Sequence, residues 1–298
     1  MLQNHWVSGP RIGIQLEFNL LFFSFFVMIP VLLFSTPPRG GLLIHSLENI
    51  MKSIFKKYAK LLLISGSALI FSGSAFAAKT HLTMGMSLEP PHLDPTAGAA
   101  AAIDEVVYAN VFEGLTRINQ NAEVLPALAD SWIISSDGLT YTFSLRRGVK
   151  FHDGAAFDSS DVVFSLERAT AENSTNAQKA LFSAITSVEA QGKNIVVVKL
   201  KTPTGNFLFN MGWGDAVIVD SASAGSNKSK PIGTGPFTFK RWVKGDRIEL
   251  GKNTNYWGKK PALKTATFKI IPDPAAAVAA LMAGDVDAFA NFSAPEMA

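Results

Sequence analysis

The chain contains no cysteine, so the side chains that could do chemistry reduce to histidines, carboxylates, hydroxyls and glycine-rich loops. His152-Asp153-Gly154, at the end of YTFSLRRGVKFHDG (141–154), has the composition of a general-base dyad. Its spacing works against that role, because neighbouring residues at a strand end point to opposite sides and Asp153 is badly placed to orient the His152 imidazole. The other reading is a turn at Asp153-Gly154, with His152 bonding across to backbone. Beyond residue 78 the only bases of this type are His81, His92 and His152, and no G-x-S-x-G elbow occurs. A secreted serine hydrolase therefore lacks its machinery.

Metal and phosphate chemistry find little more. The three histidines lie at least ten residues apart with no H-E-x-x-H spacing, and without cysteine there is no thiolate ligand. GTGPF (233–237) and GWG (212–214) are glycine-rich, but neither continues as G-x-G-x-x-G nor ends in G-K-S/T, so neither reads as a phosphate cradle. No cofactor and no metal is called for. Trp132, Trp242 and Trp257 read as core. Trp213 is the exception, because Gly212 and Gly214 thin the surface around its ring enough to open it to a cleft.

Charge excludes a further class. Residues 1–78 hold six of the 27 Lys/Arg and two of the 24 acids, which leaves 21 basic and 22 acidic residues and a net charge of −1 on the remainder. No basic field is left to attract nucleic acid. The basic excess belongs to a leader, MKSIFKKYAKLLLISGSALIFSGSAFAAKT (51–80). Four lysines precede a short apolar run, and Ala75-Phe76-Ala77 supplies a small-x-small site, so residues 51–77 are expected to be a signal peptide cleaved after Ala77. The apolar run is broken by Ser65-Gly66-Ser67 and falls short of the roughly 20 residues of a membrane span. Met51 then reads as the true start, and residues 1–50 as an upstream segment outside the fold.

The elements that must position any site alternate in type. HLTMGMS (81–87) has strand alternation and runs into LEPPHLDPTAG, an extended irregular loop forced by three prolines. A helix is expected from about Ile103 to Phe112. LADSWIISSDGLTYTFSLR reads as strand, turn and strand, with Tyr141, Phe143 and Leu145 on one face. FDSSDVVFSLERA reads as a helix capped by Asp158 or Ser159, with a stripe of Val162, Val163, Leu166 and Ala169. NIVVVKLK (194–201), FTFKRWV, IELGKN and TATFKII are strand-like. PDPAAAVAALMAG has proline near a helix start and Gly284 just past its end, and a short strand follows. Such mixing predicts an α/β architecture.

LPALADSWIISSDGLTYTFSLRRGVKFHDGAAFDSSDVVFSLERA closely resembles the signature block of the bacterial extracellular solute-binding proteins of family 5, the dipeptide-, oligopeptide- and nickel-binding components of ABC importers. PIGTGPFTFKRWVKGDRIELGKNTNYWGKKPALKTATFKIIPDPAAAVAALMAGDVDAF resembles the family's second block, and LEPPHLDPTAG its first binding-lobe loop, in the family's order. The resemblance implies a two-lobed periplasmic-binding-protein type II fold that traps solute between its lobes and hands it to an inner-membrane ABC permease. The first lobe would span 78–266 and be largely present. The second would only begin, at 267–298, so the chain reads as C-terminally truncated and the fragment is expected to bind solute weakly or not at all. The implied cargo is a small molecule or peptide, the receptor a monomer, and the signature block framework rather than a reactive centre. Within the retained lobe, the loop after the first strand supplies Glu89, His92, Thr96, Ala97 and Gly98 as candidate ligand contacts, and the GWG stretch supplies Met211, Gly212 and Trp213. The alternatives are a secreted hydrolase or metalloenzyme, and a remnant of the receptor that does not bind.

Overall fold

The computed structural model describes residues 79–290, together with Lys52, Ser53 and Lys56. The expected leader and the upstream segment otherwise lie outside the described residues. Residues 78–298 constitute one compact unit of the chain.

Two sheets organise this unit. The first is five-stranded in the order β11-β1-β10-β9-β8. Strand β1 (His81–Met86) runs parallel to both β10 (Thr265–Ile270) and β11 (Ala288–Phe289), while β8 (Phe237–Val243) and β9 (Arg247–Lys252) form an antiparallel hairpin. The expected lobe boundary at 266/267 falls inside β10. The second sheet is antiparallel, in the order β4-β5-β7-β6, with β4 Ala129–Ile134, β5 Thr140–Leu145, β6 Ile185–Ala190 and β7 Ile195–Leu200. Tyr141, Phe143 and Leu145 do share the buried face of β5. A small hairpin of β2 (Thr116–Ile118) and β3 (Val124–Pro126) stands apart. The mixed α/β class expected from the sequence is what these residues form.

The helices follow local chemistry. Helix α2 (Ser159–Thr170) opens with a capping box: Asp158 accepts from the Ser160 N–H, and Asp161 returns a carboxylate to the Asp158 N–H at 2.9 Å. Val162, Leu166 and Ala169 are buried, and Val163 is half-buried at the stripe's margin. Helix α4 (Pro274–Ala283) starts on an Asp273 cap and stops at Gly284, whose φ of 79° an L side chain adopts only at a cost. Helix α1 spans Ala101–Val107, starting earlier and ending sooner than the expected 103–112. At Ala109 the backbone turns left-handed (φ 57°), and the N–H groups of Val111 and Phe112 both return to the Val107 carbonyl, at 2.9 and 3.0 Å. Val111 and Phe112 are fully buried, so the apolar spacing reported burial of a tight turn rather than more helix.

Each sheet has its own core. Phe143, Phe182, Phe207, Leu128 and Leu166 fill the one beneath the four-stranded sheet. Ile103, Val107, Phe112, Ile248 and Phe268 fill the one beneath the five-stranded sheet. The segment 214–220, hereafter the strap, passes between them with strand-like alternation: Ala216 and Ile218 face the first core, Val217 and Val219 the second. It is held by the Ile218 N–H to the Glu113 carbonyl and by the Val219 N–H to Ser165 Oγ, each at 2.9 Å.

A half-buried carboxylate ties the late part of the chain to the early part. Glu113 accepts from Tyr256 Oη at 2.7 Å, Thr234 Oγ1 at 2.8 Å and Trp257 Nε1 at 2.9 Å, and the Arg146 guanidinium lies 4.3 Å over the Trp257 ring. The glycines of GTGPF serve the same seam. A Cβ at Gly233 would stand 2.0 Å from the Val111 carbonyl oxygen and one at Gly235 2.5 Å from that of Asn110, so only glycine allows this backbone approach.

Candidate functional site

Two segments singled out in the sequence, the proline-rich loop 88–98 and the apolar stretch 207–219, meet. Asp94, 1% exposed, caps the single turn Pro95–Ala97, its Oδ1 accepting from the Thr96 N–H at 3.0 Å and from Thr96 Oγ1 at 2.6 Å. Arg168, in the last turn of α2, clamps the same turn from the other side, donating to Asp94 Oδ2 at 3.2 Å and to Thr96 Oγ1 at 2.8 Å. With one partner almost fully buried, this pair fixes the loop more firmly than a surface ion pair would. His92 Nδ1 accepts from the Asp94 N–H at 3.3 Å, and its ring covers Gly98, where a Cβ would meet Nε2 at 2.7 Å.

The opposing limb begins with the short helix α3 (Phe207–Asn210) and continues through Met211, Gly212 and Trp213 into the strap. The turn Pro95–Ala97 packs against the turn Gly214–Ala216. Tyr108 Oη donates to the Gly212 carbonyl, which anchors the limb to α1. The Trp213 ring is 40% exposed, edge-on to Phe209 with centroids 6.4 Å apart. A cavity of about 200 Å³ opens beside Thr96, between Ser165, Arg168 and the Asn173–Asn176 loop.

Thr96, Ala97 and Gly98 are half-buried, and the turn that holds the first two packs on Gly214–Ala216, the turn that follows Gly212 and Trp213 in the chain. Glu89 is placed elsewhere. Its Oε1 accepts from Trp242 Nε1 at 2.9 Å and from the Gly245 N–H at 3.0 Å, which makes it a clasp on the β8–β9 hairpin. The Met211 side chain is fully buried in the first core and offers no surface. Sequence reasoning missed Arg168, Tyr108 and the Asn173–Asn176 loop. The one available signal was a basic residue in the last turn of a well-capped helix, which the helix dipole explains without any site.

His152 is bound to the GTG loop. Its Nδ1 faces the Gly233 N–H at 3.4 Å, its Nε2 faces the Gly235 carbonyl at 3.0 Å, and its own N–H donates to the Gly233 carbonyl at 2.9 Å. This pattern specifies the neutral ring with hydrogen on Nε2, and burial holds its pKa below the usual imidazole value. Asp153 accepts from the Ala155 N–H at 3.0 Å in the turn itself. Both groups are committed to backbone, as the turn reading anticipated. The two limbs carry between them an aromatic ring, a hydroxyl, backbone amides and a clamped turn. Such a surface can stack on and hydrogen-bond a polar solute.

The family model for bacterial extracellular solute-binding proteins, family 5 (middle part), matches residues 123–298. The chain is 35% identical over 204 residues to the oligopeptide-binding protein AppA of Bacillus subtilis (strain 168), covering 65% of this chain and 37% of that protein. It is 33% identical over 183 residues to the nickel-binding periplasmic protein of Escherichia coli (strain K12), covering 59% and 35%. Among solved structures, AppA from Bacillus subtilis in complex with a nonapeptide matches with a TM-score of 0.65 at 32% identity, over 69% of this chain and 43% of that one. DppA from Helicobacter pylori in complex with peptide STSA matches with a TM-score of 0.64 at 30% identity, over 69% and 45%. The chain spans less than half the length of these relatives. The matching blocks, their order and the fold they build place this protein in the bacterial extracellular solute-binding proteins, family 5.

Proposed function

We propose that this chain is part of the substrate-binding protein of an ABC importer, exported through a leader at 51–77 and acting as a monomer in the periplasm. It captures a solute and presents it to an inner-membrane permease, and it carries out no turnover. A peptide is the cargo class we favour, since AppA and DppA are described with bound peptides. Residues 78–266 are read as the first lobe and 267–298 as the start of the second. The observation that carries the reading is the packing of the clamped Pro95–Ala97 turn on the Gly214–Ala216 turn, which directly follows the exposed Trp213, in a unit whose family binds solutes.

The test is a chemical-shift titration of the purified chain with a mixed peptide library. Shifts confined to the Trp213 indole and the Thr96–Gly98 amides, and lost in Trp213→Ala, are the expected result. Shifts that map to His152 and the GTG loop instead, or chemical consumption of the peptides, would overturn the reading.

A further inference from the structure

The two limbs of the candidate site share a charge bias. Neither 88–112 nor 207–220 contains a lysine or an arginine, while between them they carry Glu89, Asp94, Asp104, Glu105, Asp215 and Asp220. Two of these acids are answered within the fold. Glu89 is held by Trp242 Nε1 and the Gly245 N–H, and Asp94 by Arg168 and the Thr96 turn. Arg168 is the cation that reaches the first limb from α2, and it is already committed to Asp94 Oδ2 and Thr96 Oγ1. What remains is a site with an excess of negative charge.

Asp104, on α1, touches the Trp213 limb directly. A Cβ at Gly214 would stand 2.5 Å from Asp104 Oδ1 and 2.7 Å from Oδ2, so the carboxylate lies against the backbone that follows Trp213. Consecutive Cα atoms are about 3.8 Å apart, which puts this carboxylate within about 8 Å of the Trp213 Cα, the reach of one long side chain. Oδ1 is shut off from solvent and has no hydrogen-bond partner, yet the residue as a whole is only half-buried. Burial, and to a lesser extent Asp215, raise its pKa to about 6, so at pH 7.5 the group is an anion.

The Trp213 ring, 40% exposed, adds a second attraction of the same sign. Its π face draws cations, and a weakly hydrated planar guanidinium gains more from it than a tightly hydrated metal ion. Resting on the solute-binding reading above, we propose that this site selects cationic cargo, with a guanidinium or ammonium group of the solute stacked on Trp213 and met by the Asp104 carboxylate. Within the peptide class this means peptides with a basic side chain.

The probes are three tripeptides with arginine, glutamine or glutamate at the centre, acetylated and amidated so that any charge comes from the central side chain. They are titrated into the purified chain at pH 7.5 and followed at the Trp213 indole and the Gly214 amide. The arginine peptide should bind about tenfold more tightly than the glutamine peptide, and the glutamate peptide more weakly still. Added sodium chloride should narrow the series by screening. In Asp104→Asn the arginine and glutamine peptides should converge. Equal affinity of the wild-type chain for all three peptides overturns the proposal and leaves the solute-binding reading standing, and this comparison holds whether or not the variant folds. An arginine preference that survives in folded Asp104→Asn assigns the selection to another group and also overturns it. No shift at Trp213 with any of the three overturns both.

Discussion

Removing the Glu113 carboxylate should be the costliest single change outside the aromatic core. It accepts three hydrogen bonds of 2.7–2.9 Å from residues more than 100 positions away, and it joins the GTG loop and the Tyr256-Trp257 pair to the end of the α1 turn. Glu113→Ala leaves an indole N–H and two hydroxyls without an acceptor, each worth about 1–3 kcal/mol when it stays unsatisfied. Part of that loss is returned, because burial raises the pKa of Glu113 despite the three donors and the nearby Arg146, so the charge itself is costly to enclose. The net expectation is about 3–5 kcal/mol, a large share of the roughly 5–15 kcal/mol that stabilises a domain. Glu113→Gln keeps one acceptor oxygen but turns an NH₂ toward donors, and should cost about 1–3 kcal/mol. Since the folded pKa lies above 4.5, the carboxyl's contribution is complete below that value and is lost as pH rises through the folded value. The glutamine variant should lack this slope. Urea denaturation followed by tryptophan fluorescence at pH 5 and pH 8 measures both effects. A double-mutant cycle with Trp257→Phe should show coupling of at least about 1 kcal/mol. A Glu113→Ala penalty below about 1 kcal/mol, or zero coupling to Trp257, would refute the reasoning.

Other expectations follow from the same geometry. Phe143→Ala, at a fully buried ring between Trp132 and Tyr141, should cost about 3–5 kcal/mol in chemical denaturation. Arg168→Met should free the Asp94–Thr96 turn, and faster amide exchange at Thr96 and Ala97, with little change in the β5–β7 ladder, is the expected signature. His152→Ala should destabilise by about 1–3 kcal/mol in chemical denaturation through the orphaned Gly233 and Gly235 groups. Arg241 and Arg247 converge on Glu249 and hold its pKa near about 2, so that small stabilisation is present above 4.5 and lost as pH falls toward 2. The group is accessible, so charge-neutral Glu249→Gln should cost no more than about 1 kcal/mol, and less in high salt.

The parts of the fold that sequence made visible are those where one local rule suffices. The Asp158–Asp161 box, Gly138 in the β4–β5 turn and Gly284 after α4 each fix a boundary by backbone chemistry alone. Strand β6, ITSVEA, escaped because it is only partly buried and carries polar residues on both faces, so its pattern is weak. Hairpin β2–β3 is three residues a side and turns at Ala122 with φ 61°, a conformation no alanine advertises. At the site, loop and aromatic were legible from prolines and flanking glycines. Glu89 was not, because an acidic residue after a strand looks the same whether it meets solute or an indole N–H 153 positions away. Asp104 looked like an ordinary first-turn acid, and only the path of the strap reveals that Gly214 closes over its carboxylate.

The parallel pairing of β1 with β10 has a consequence for biogenesis. His81 finds Thr265 only after some 180 intervening residues have been made, and the last neighbour, at Ala288–Phe289, arrives later still. Contacts so distant along the chain carry a large closure entropy and slow the search for the native arrangement. Strand β1 therefore waits, edge unsatisfied, until residues 265–289 have been synthesised. Such delay would suit the export proposed above, in which the chain crosses the membrane before it compacts.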